Sequence, residues 1–114
     1  MAKSTRKHPT FADCMTMMRS RDAQVQEDGF HFLRDQVPGH VDAIFEAFRT
    51  ENDPGLKRWL LELLTFARDA RLTPMFVAHL DHADESLRHW AEAGLRSLDT
   101  KEARTALFAA GRRG

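Results

Sequence analysis

The sequence lacks features that define several classes of protein: paired cysteines, long apolar runs and a secretory signal. It holds one cysteine in 114 residues, so no disulfide can form within the chain, and a disulfide-stabilised fold is excluded. Its longest apolar stretch, residues 59–64, is interrupted by Glu62 and is far too short to cross a membrane. The basic residues at the start are not followed by the apolar segment of a secretory signal. We therefore expect a cytoplasmic protein.

Glycine and proline are also scarce, at six and four residues, while 42% of the residues are hydrophobic and 30% are charged. These proportions are typical of an ordered, helix-rich globular chain. The length predicts one domain with a continuous core, in which Cys14 is a small buried hydrophobe. We expect a flexible basic arm over residues 1–9, the folded domain over residues 10–110 and a basic tail over residues 111–114.

The formal net charge is zero, but the charges are unevenly distributed. Residues 1–21 carry five Lys or Arg against one Asp, a net +4, and residues 101–114 carry four against one Glu, a net +3. The segment between them therefore holds a net −7. Two interpretations stay open: the ends are simply solvated, or they steer a charged partner.

A repeat of 31 residues runs through the chain. Apolar residues recur at this spacing in five sets: Val25, Leu56 and Leu87; Leu33, Leu64 and Leu95; Met17 and Phe48; Cys14, Phe45, Phe76 and Leu107; and Ile44, Met75 and Ala106. A fixed period of this length indicates stacked supersecondary units, none of which can bury its apolar face alone.

The apolar residues within each repeat follow helical spacing, as in Leu56, Leu60, Leu63 and Leu64. Helix-capping signals divide the pattern: Thr10 with Asp13, Asp53 before Pro54, Thr73 before Pro74, Asp84, Thr100, and a turn at Val37-Pro38-Gly39. Helices are predicted near residues 10–20, 23–36, 40–51, 54–68, 74–82, 85–97 and 101–110. The predicted fold is all-α, a small α-solenoid of about three helix pairs plus a terminal helix.

Two segments carry a resemblance to a known family. Residues 52–59 (NDPGLKRW) and 82–91 (HADESLRHWA) resemble the acidic-x-Val-Arg-x-x-Ala motif that opens the second helix of HEAT repeats, in the short bacterial form also seen in phycobilisome-lyase proteins. The first repeat is degenerate, with Gln26 in the basic position. The resemblance implies a charge ladder between repeats, Asp53 with Lys57 and Asp84 with Arg88. Lyase activity is not implied, since no residue set suited to a chromophore is evident.

The richest group of potential metal ligands comprises His79, Asp81, His82, Asp84, Glu85 and His89. Its spacing matches no ligand motif, and histidine near a helix C-terminus also complements the helix dipole, so surface histidines are the favoured interpretation. The sequence has no glycine-rich phosphate loop, no nucleophile elbow and no His-Glu-x-x-His motif. We expect no catalytic residues, no metal and no cofactor, and hence a protein that is not an enzyme.

The second helices of stacked pairs line the concave face of such a fold. The 31-residue register places there a polar strip made of Glu27, His31, Arg34, Arg58, Glu62, Thr65, His89 and Arg96. Its mixed sign favours a protein partner, because a phosphate-binding strip would be nearly all Lys and Arg. An ordinary solvated face is the alternative. Trp59 and Trp90 share one register and either fill the core between repeats or anchor an interface.

The last predicted helix has no following partner. The flank at Leu107 and Phe108 is therefore either covered by the Arg112-Arg113 tail or open for self-association.

The function predicted is a non-enzymatic protein–protein interaction module: an adaptor, an assembly factor or an immunity-type inhibitor that binds through the concave strip or the C-terminal end. A nucleic-acid-binding protein is the alternative, with charge from Lys3, Arg6, Lys7, Arg19, Arg21, Lys101, Arg104, Arg112 and Arg113. A lyase-type, cofactor-handling protein is a weaker one.

Overall fold

The computed structural model describes the backbone of residues 9–113 and the side chains of residues 9–111. Over this range the chain forms helices and no strand, which confirms the all-α prediction. The helices are α1 (Phe11–Met18), α2 (Ala23–Arg34), α3 (Val41–Thr50), α4 (Pro54–Leu64), α5 (Thr73–Ala78), α6 (Glu85–Leu98) and α7 (Lys101–Arg113). Two short 3₁₀ turns, Val37–Gly39 and Ala70–Leu72, precede α3 and α5.

Consecutive helices pack as pairs, α1 on α2, α3 on α4 and α5 on α6, and α7 packs against both α5 and α6. Neighbouring pairs meet through their second helices, α2 with α4 and α4 with α6. The molecule measures 58 × 25 × 21 Å. The helix α4 therefore lies between the second helices of the two other pairs, α2 and α6.

An aspartate begins each of these second helices. The N-caps of α2, α4 and α6 are Asp22, Asp53 and Asp84, which are 31 residues apart, and the carboxylate of each accepts hydrogen bonds from backbone N–H groups of the first turn. Their backbone dihedrals are almost the same, with φ of −84°, −75° and −79° and ψ of 117°, 119° and 117°. The cap satisfies N–H groups that the helix cannot, so the 31-residue repeat fixes where each second helix begins.

The other capping predictions have mixed outcomes. Thr10 and Asp13 form a reciprocal capping box on α1, and the Thr100 hydroxyl accepts from the Ala103 N–H at 3.1 Å, as predicted. The prediction for Thr73 is wrong, because Thr73 is itself helical and Leu72 occupies the N-cap position without a side-chain bond. The turn at Ala70–Leu72 leads directly into α5, and Asp69 caps that turn by accepting from the Arg71 N–H.

Three helices end three or four residues away from their predicted ends. The helix α4 ends at Leu64 rather than residue 68, and α5 ends at Ala78 rather than residue 82. The last helix, α7, continues to Arg113, so residues 111–113 of the predicted tail are helical. Residues 1–8 of the predicted arm lie outside the described residues.

The core follows the predicted register. Leu33, Leu64 and Leu95 are each at most 1% exposed, and Leu56 and Leu87 are buried. Cys14 is fully buried as predicted, and burial raises the pKa of its thiol. The central helix α4 buries five leucines, Leu56, Leu60, Leu61, Leu63 and Leu64, since it packs against α3 as well as α2 and α6.

The charge ladder implied by the resemblance does not form. The Lys57 ammonium donates to the Phe48 carbonyl oxygen at 2.6 Å and lies 4.0 Å from the centre of the Phe48 ring. Arg88 likewise donates to the carbonyl oxygens of His82 and Ala83. The capping aspartates are already bonded to N–H groups, so the basic side chains bind carbonyls that precede the helix instead. An ion pair that does link neighbouring pairs is Arg19 with Glu51, at 2.7 Å.

Candidate functional site

A groove of about 430 Å³ lies where the second helices meet near their N-terminal ends. It is lined by Met18, Gln26, Asp53, Gly55, Leu56, Arg58, Trp59, Glu62, Ser86 and Trp90. The lining therefore combines residues from α1, α2, α4 and α6 with the N-cap of α4. The groove is a shared product of three neighbouring repeats, as expected if the second helices form one face.

Both tryptophans of the chain line this groove, and both are half-buried. The Trp59 ring lies 5.0 Å from the Phe30 ring of α2, centre to centre and tilted by 31°, so it fills the space between the first two repeats. The Trp90 ring lies 4.8 Å from the His89 ring, edge to face. Both tryptophans pack against the buried core, and both also contribute aromatic surface to the groove.

Glu62 is one of three charged residues that line the groove, with Asp53 and Arg58. Its carboxylate makes no hydrogen bond or ion pair with any residue that the structure describes. Partial burial raises the pKa of Glu62, while the nearby charges of Arg34 on α2 and His89 on α6 act in the opposite direction. Glu62 therefore lies near Arg34 and His89 on the two flanking helices. The register did not predict this grouping, since neither of these residues is 31 positions from Glu62.

Arg58 lies one helical turn before Glu62 and also lines the groove. A Cβ atom at Gly55 would be 3.5 Å from the Asp53 carboxylate and 3.8 Å from the Arg58 guanidinium. Both charges therefore border the same glycine, at the N-terminal end of α4. Like Glu62, Arg58 makes no side-chain hydrogen bond or ion pair within the described part of the chain.

The rest of the predicted strip does not belong to the groove. Thr65 is wrong as a binding residue: it is only 8% exposed, in the turn that ends α4, and its hydroxyl donates to the Glu62 carbonyl oxygen at 2.6 Å. Arg96 pairs with Glu92 at 3.5 Å, and the His31 ring packs on Phe30.

Two further residues of the strip, Glu27 and His89, are exposed as predicted. Glu27 is exposed on α2, away from the groove lining. His89 borders a shallower depression of about 220 Å³ with Glu85, Arg88 and Glu92. Of the predicted strip residues, only Arg58 and Glu62 line the groove.

Several lining residues escaped prediction from the sequence. Gly55 and Ser86 are 31 residues apart, so the register itself could have placed them together at one end of the groove. Met18 and Gln26 carry no such signal, because the first repeat is degenerate there. Asp53 was predicted as a helix cap and, through the resemblance, as a partner of Lys57, but not as a groove residue.

In the group of potential metal ligands, the side chains of His79 and His82 contact backbone groups. His79 Nδ1 lies 2.8 Å from the Met75 carbonyl oxygen, and the Asp84 N–H donates to His82 Nδ1 at 2.9 Å. The two imidazole rings stack at 5.5 Å. Over the described residues, no three His, Cys, Asp or Glu side chains are grouped so as to hold a metal ion. None of the helices in that range is long and apolar enough to cross a bilayer.

No family model, curated protein or solved structure matches this chain. The assignment of a function therefore depends on the geometry of the groove.

Proposed function

We propose that the chain is a small α-solenoid of three HEAT-like helix pairs that binds a partner protein in the groove and catalyses no reaction. The observation that carries this proposal is the groove itself. It combines two half-buried tryptophans with an arginine and a glutamate that have no partner in the described chain. Tryptophan and arginine are the residue types enriched in the hot spots of protein interfaces.

Two features support the solenoid. The three capping aspartates repeat every 31 residues with matching dihedrals, and each second helix packs on the next. Repeats of this kind contact their neighbours along one axis and present an extended surface, which agrees with a molecule more than twice as long as it is wide.

The charges favour a protein over a nucleic acid. Arg19 pairs with Glu51 at 2.7 Å and Arg104 with Asp99 at 2.9 Å, so two of the basic residues suited to phosphate already have carboxylate partners. Lys3, Arg6 and Lys7 lie outside the described residues. The groove itself mixes signs, whereas a phosphate-binding surface would be dominated by positive charge.

Site-specific photo-cross-linking tests the proposal. A benzophenone amino acid is placed at position 58, in the groove, and as a matched control at position 46, which is exposed on α3 and outside the groove. We expect one protein of the source cell to be cross-linked from position 58, not from position 46, and to be lost when Trp90→Ala is added. Circular dichroism confirms that the Trp90→Ala variant is folded.

Equal cross-linking from both positions would contradict a role for the groove. Adducts made mainly of RNA or DNA would instead support the nucleic-acid alternative. That alternative also requires binding that weakens steeply with salt and depends on Lys3, Arg6 and Lys7.

A further inference from the structure

We infer that the groove receives a basic side chain of the partner protein, arginine or lysine, between Trp59 and Trp90 and against the Glu62 carboxylate. This inference rests on the proposed function and names the chemistry that the groove recognises.

Glu62 is a partly buried carboxylate that lacks a compensating partner in the described chain. A carboxylate that has lost part of its hydration is costly unless an opposite charge or a hydrogen-bond donor compensates it. Glu62 is half-buried and has no such partner at bonding distance within the described chain. Arg34 and His89 are near enough to act on it electrostatically, but neither lies within 4.0 Å of its oxygens, and Arg34 already has the Asp35 carboxylate at 3.9 Å. A cation from outside would form the charge-assisted bond that the chain itself does not supply.

An aromatic surface lies beside this carboxylate. Ammonium and guanidinium groups are attracted to the face of an aromatic ring, most strongly to that of tryptophan. Trp59 and Trp90 line the same groove as Glu62, and the packing of Phe30 on Trp59 holds that ring in place. The chain makes a contact of the same kind elsewhere, where Lys57 lies over Phe48.

The positive charge of the groove, Arg58, lies next to a carboxylate. Arg58 could attract an acidic group to the groove, but it borders Gly55 together with the Asp53 carboxylate, so its charge is locally opposed. Among the lining residues, two carboxylates stand against one guanidinium. A volume of about 430 Å³ is near the lower end of the range of about 300–1,000 Å³ for ligand sites, which suits one long side chain with its flanking backbone.

Tryptophan fluorescence reports directly on this site, because the only two tryptophans of the chain line it. The probes are three blocked tripeptides, acetyl-Gly-Xaa-Gly-amide, in which Xaa is arginine, its neutral isostere citrulline, or glutamate. We expect a saturable change in emission with the arginine peptide, at an affinity at least fivefold higher than for the citrulline peptide and tenfold higher than for the glutamate peptide. Equal affinity for arginine and citrulline, or a preference for glutamate, would overturn the inference.

Two variants locate the interaction. Glu62→Gln keeps the shape of the side chain and removes its charge, so we expect it to abolish the preference for arginine over citrulline. Glu46→Gln makes the same chemical change on α3, outside the groove, and should preserve that preference. Loss of the preference in Glu46→Gln, or its persistence in Glu62→Gln, would contradict the assignment to Glu62.

The outcome is separable from that of the proposed function. If the partner captured through position 58 is lost with Trp90→Ala but binds Glu62→Gln at full affinity, the groove is the binding site and the inference of a basic side chain is wrong. If position 58 captures no protein, the proposed function fails, whatever the peptides do.

Discussion

Gly94 marks a close approach between α6 and a side chain of α5 in the core. A Cβ atom at this position would lie 2.4 Å from atoms of the Phe76 ring, which is 1% exposed. Glycine costs stability within a helix, so its presence inside α6 has a packing reason: the ring of Phe76 on α5 occupies the space that any side chain would need. The absence of a side chain at Gly94 thus makes room for Phe76 within the third pair.

Gly94→Ala should therefore destabilise the protein by about 1–3 kcal/mol, the cost of overpacking a core that cannot yield. Gly111→Ala is the matched control, because nothing lies within 4 Å of its added Cβ on α7. That change should be neutral or stabilise by up to about 1 kcal/mol. Urea unfolding measures both, and an equal effect of the two substitutions would show that the Phe76 contact is unimportant.

Glu51 connects the first two repeats through its ion pair with Arg19, and its side chain is only 9% exposed. Hydrogen bonds from Arg19 are the main reason that the pKa of Glu51 is lowered. A carboxylate whose pKa is lower in the folded than in the unfolded state stabilises the fold above its unfolded pKa. That contribution is lost as the pH falls through the folded pKa.

Glu51→Gln should accordingly lower the free energy of unfolding at pH 7 by about 0.5–1 kcal/mol, since Arg19 is half exposed and solvent screens the pair. The difference from the unmodified chain should begin to shrink as the pH falls below about 4.3, the ordinary pKa of glutamate, and should vanish only below the lowered pKa of the folded state, where the carboxyl group is protonated in both states. Glu46→Gln, which breaks the fully exposed pair with Arg49, is the control and should change little at either pH. A loss that is independent of pH would contradict the electrostatic explanation.

Helix boundaries illustrate what periodicity alone can and cannot predict. All seven helices were predicted, because apolar spacing and capping residues are local signals. The ends of α4 and α5 were placed four residues too far along the chain. The error at α4 arises because Ala67 continues the apolar spacing beyond the helix, while Arg68 takes a left-handed backbone with φ of 51° that no residue type announces. At α7 the opposite error occurred, since the helix continues through Gly111, a residue type that often follows the end of a helix, to Arg113.

The backbone at Arg68 yields a direct test of that turn. Left-handed conformations disfavour side chains with a Cβ atom and suit glycine. Arg68→Gly should be more stable than Arg68→Ala by about 1 kcal/mol, measured by thermal and urea unfolding. The reverse order would mean that the chain after α4 does not adopt this conformation.

The central helix should also be the most sensitive to loss of core volume. Leu64→Ala and Leu95→Ala remove the same atoms at register-equivalent, fully buried positions, each at a cost of about 2–5 kcal/mol. Because α4 packs between α2 and α6, whereas α6 lies beside the last helix, we expect the larger loss for Leu64→Ala. A larger loss at Leu95 would argue that the third repeat, and not the second, is the centre of the core.

At the scale of the whole molecule, the sequence predicts the repeat but only part of the candidate binding surface. The register placed both tryptophans at one face, but it did not predict that Arg34, Glu62 and His89, which are not 31 residues apart, would come together. It could not separate Thr65, which is buried, from Glu62 one turn earlier, because the distance between helices decides which polar residues remain accessible. The acidic middle of the chain, with a net charge of −7, agrees with a basic group on the partner.

Hydrogen–deuterium exchange of the chain, free and bound to the protein captured through position 58, tests the central claim most directly. If the row of second helices is the binding face, binding should slow exchange in the N-terminal halves of α4 and α6 and in the turn before α4, and should leave α3 and α5 unchanged. Protection confined to α7, or to the first helices of the pairs, would contradict the account.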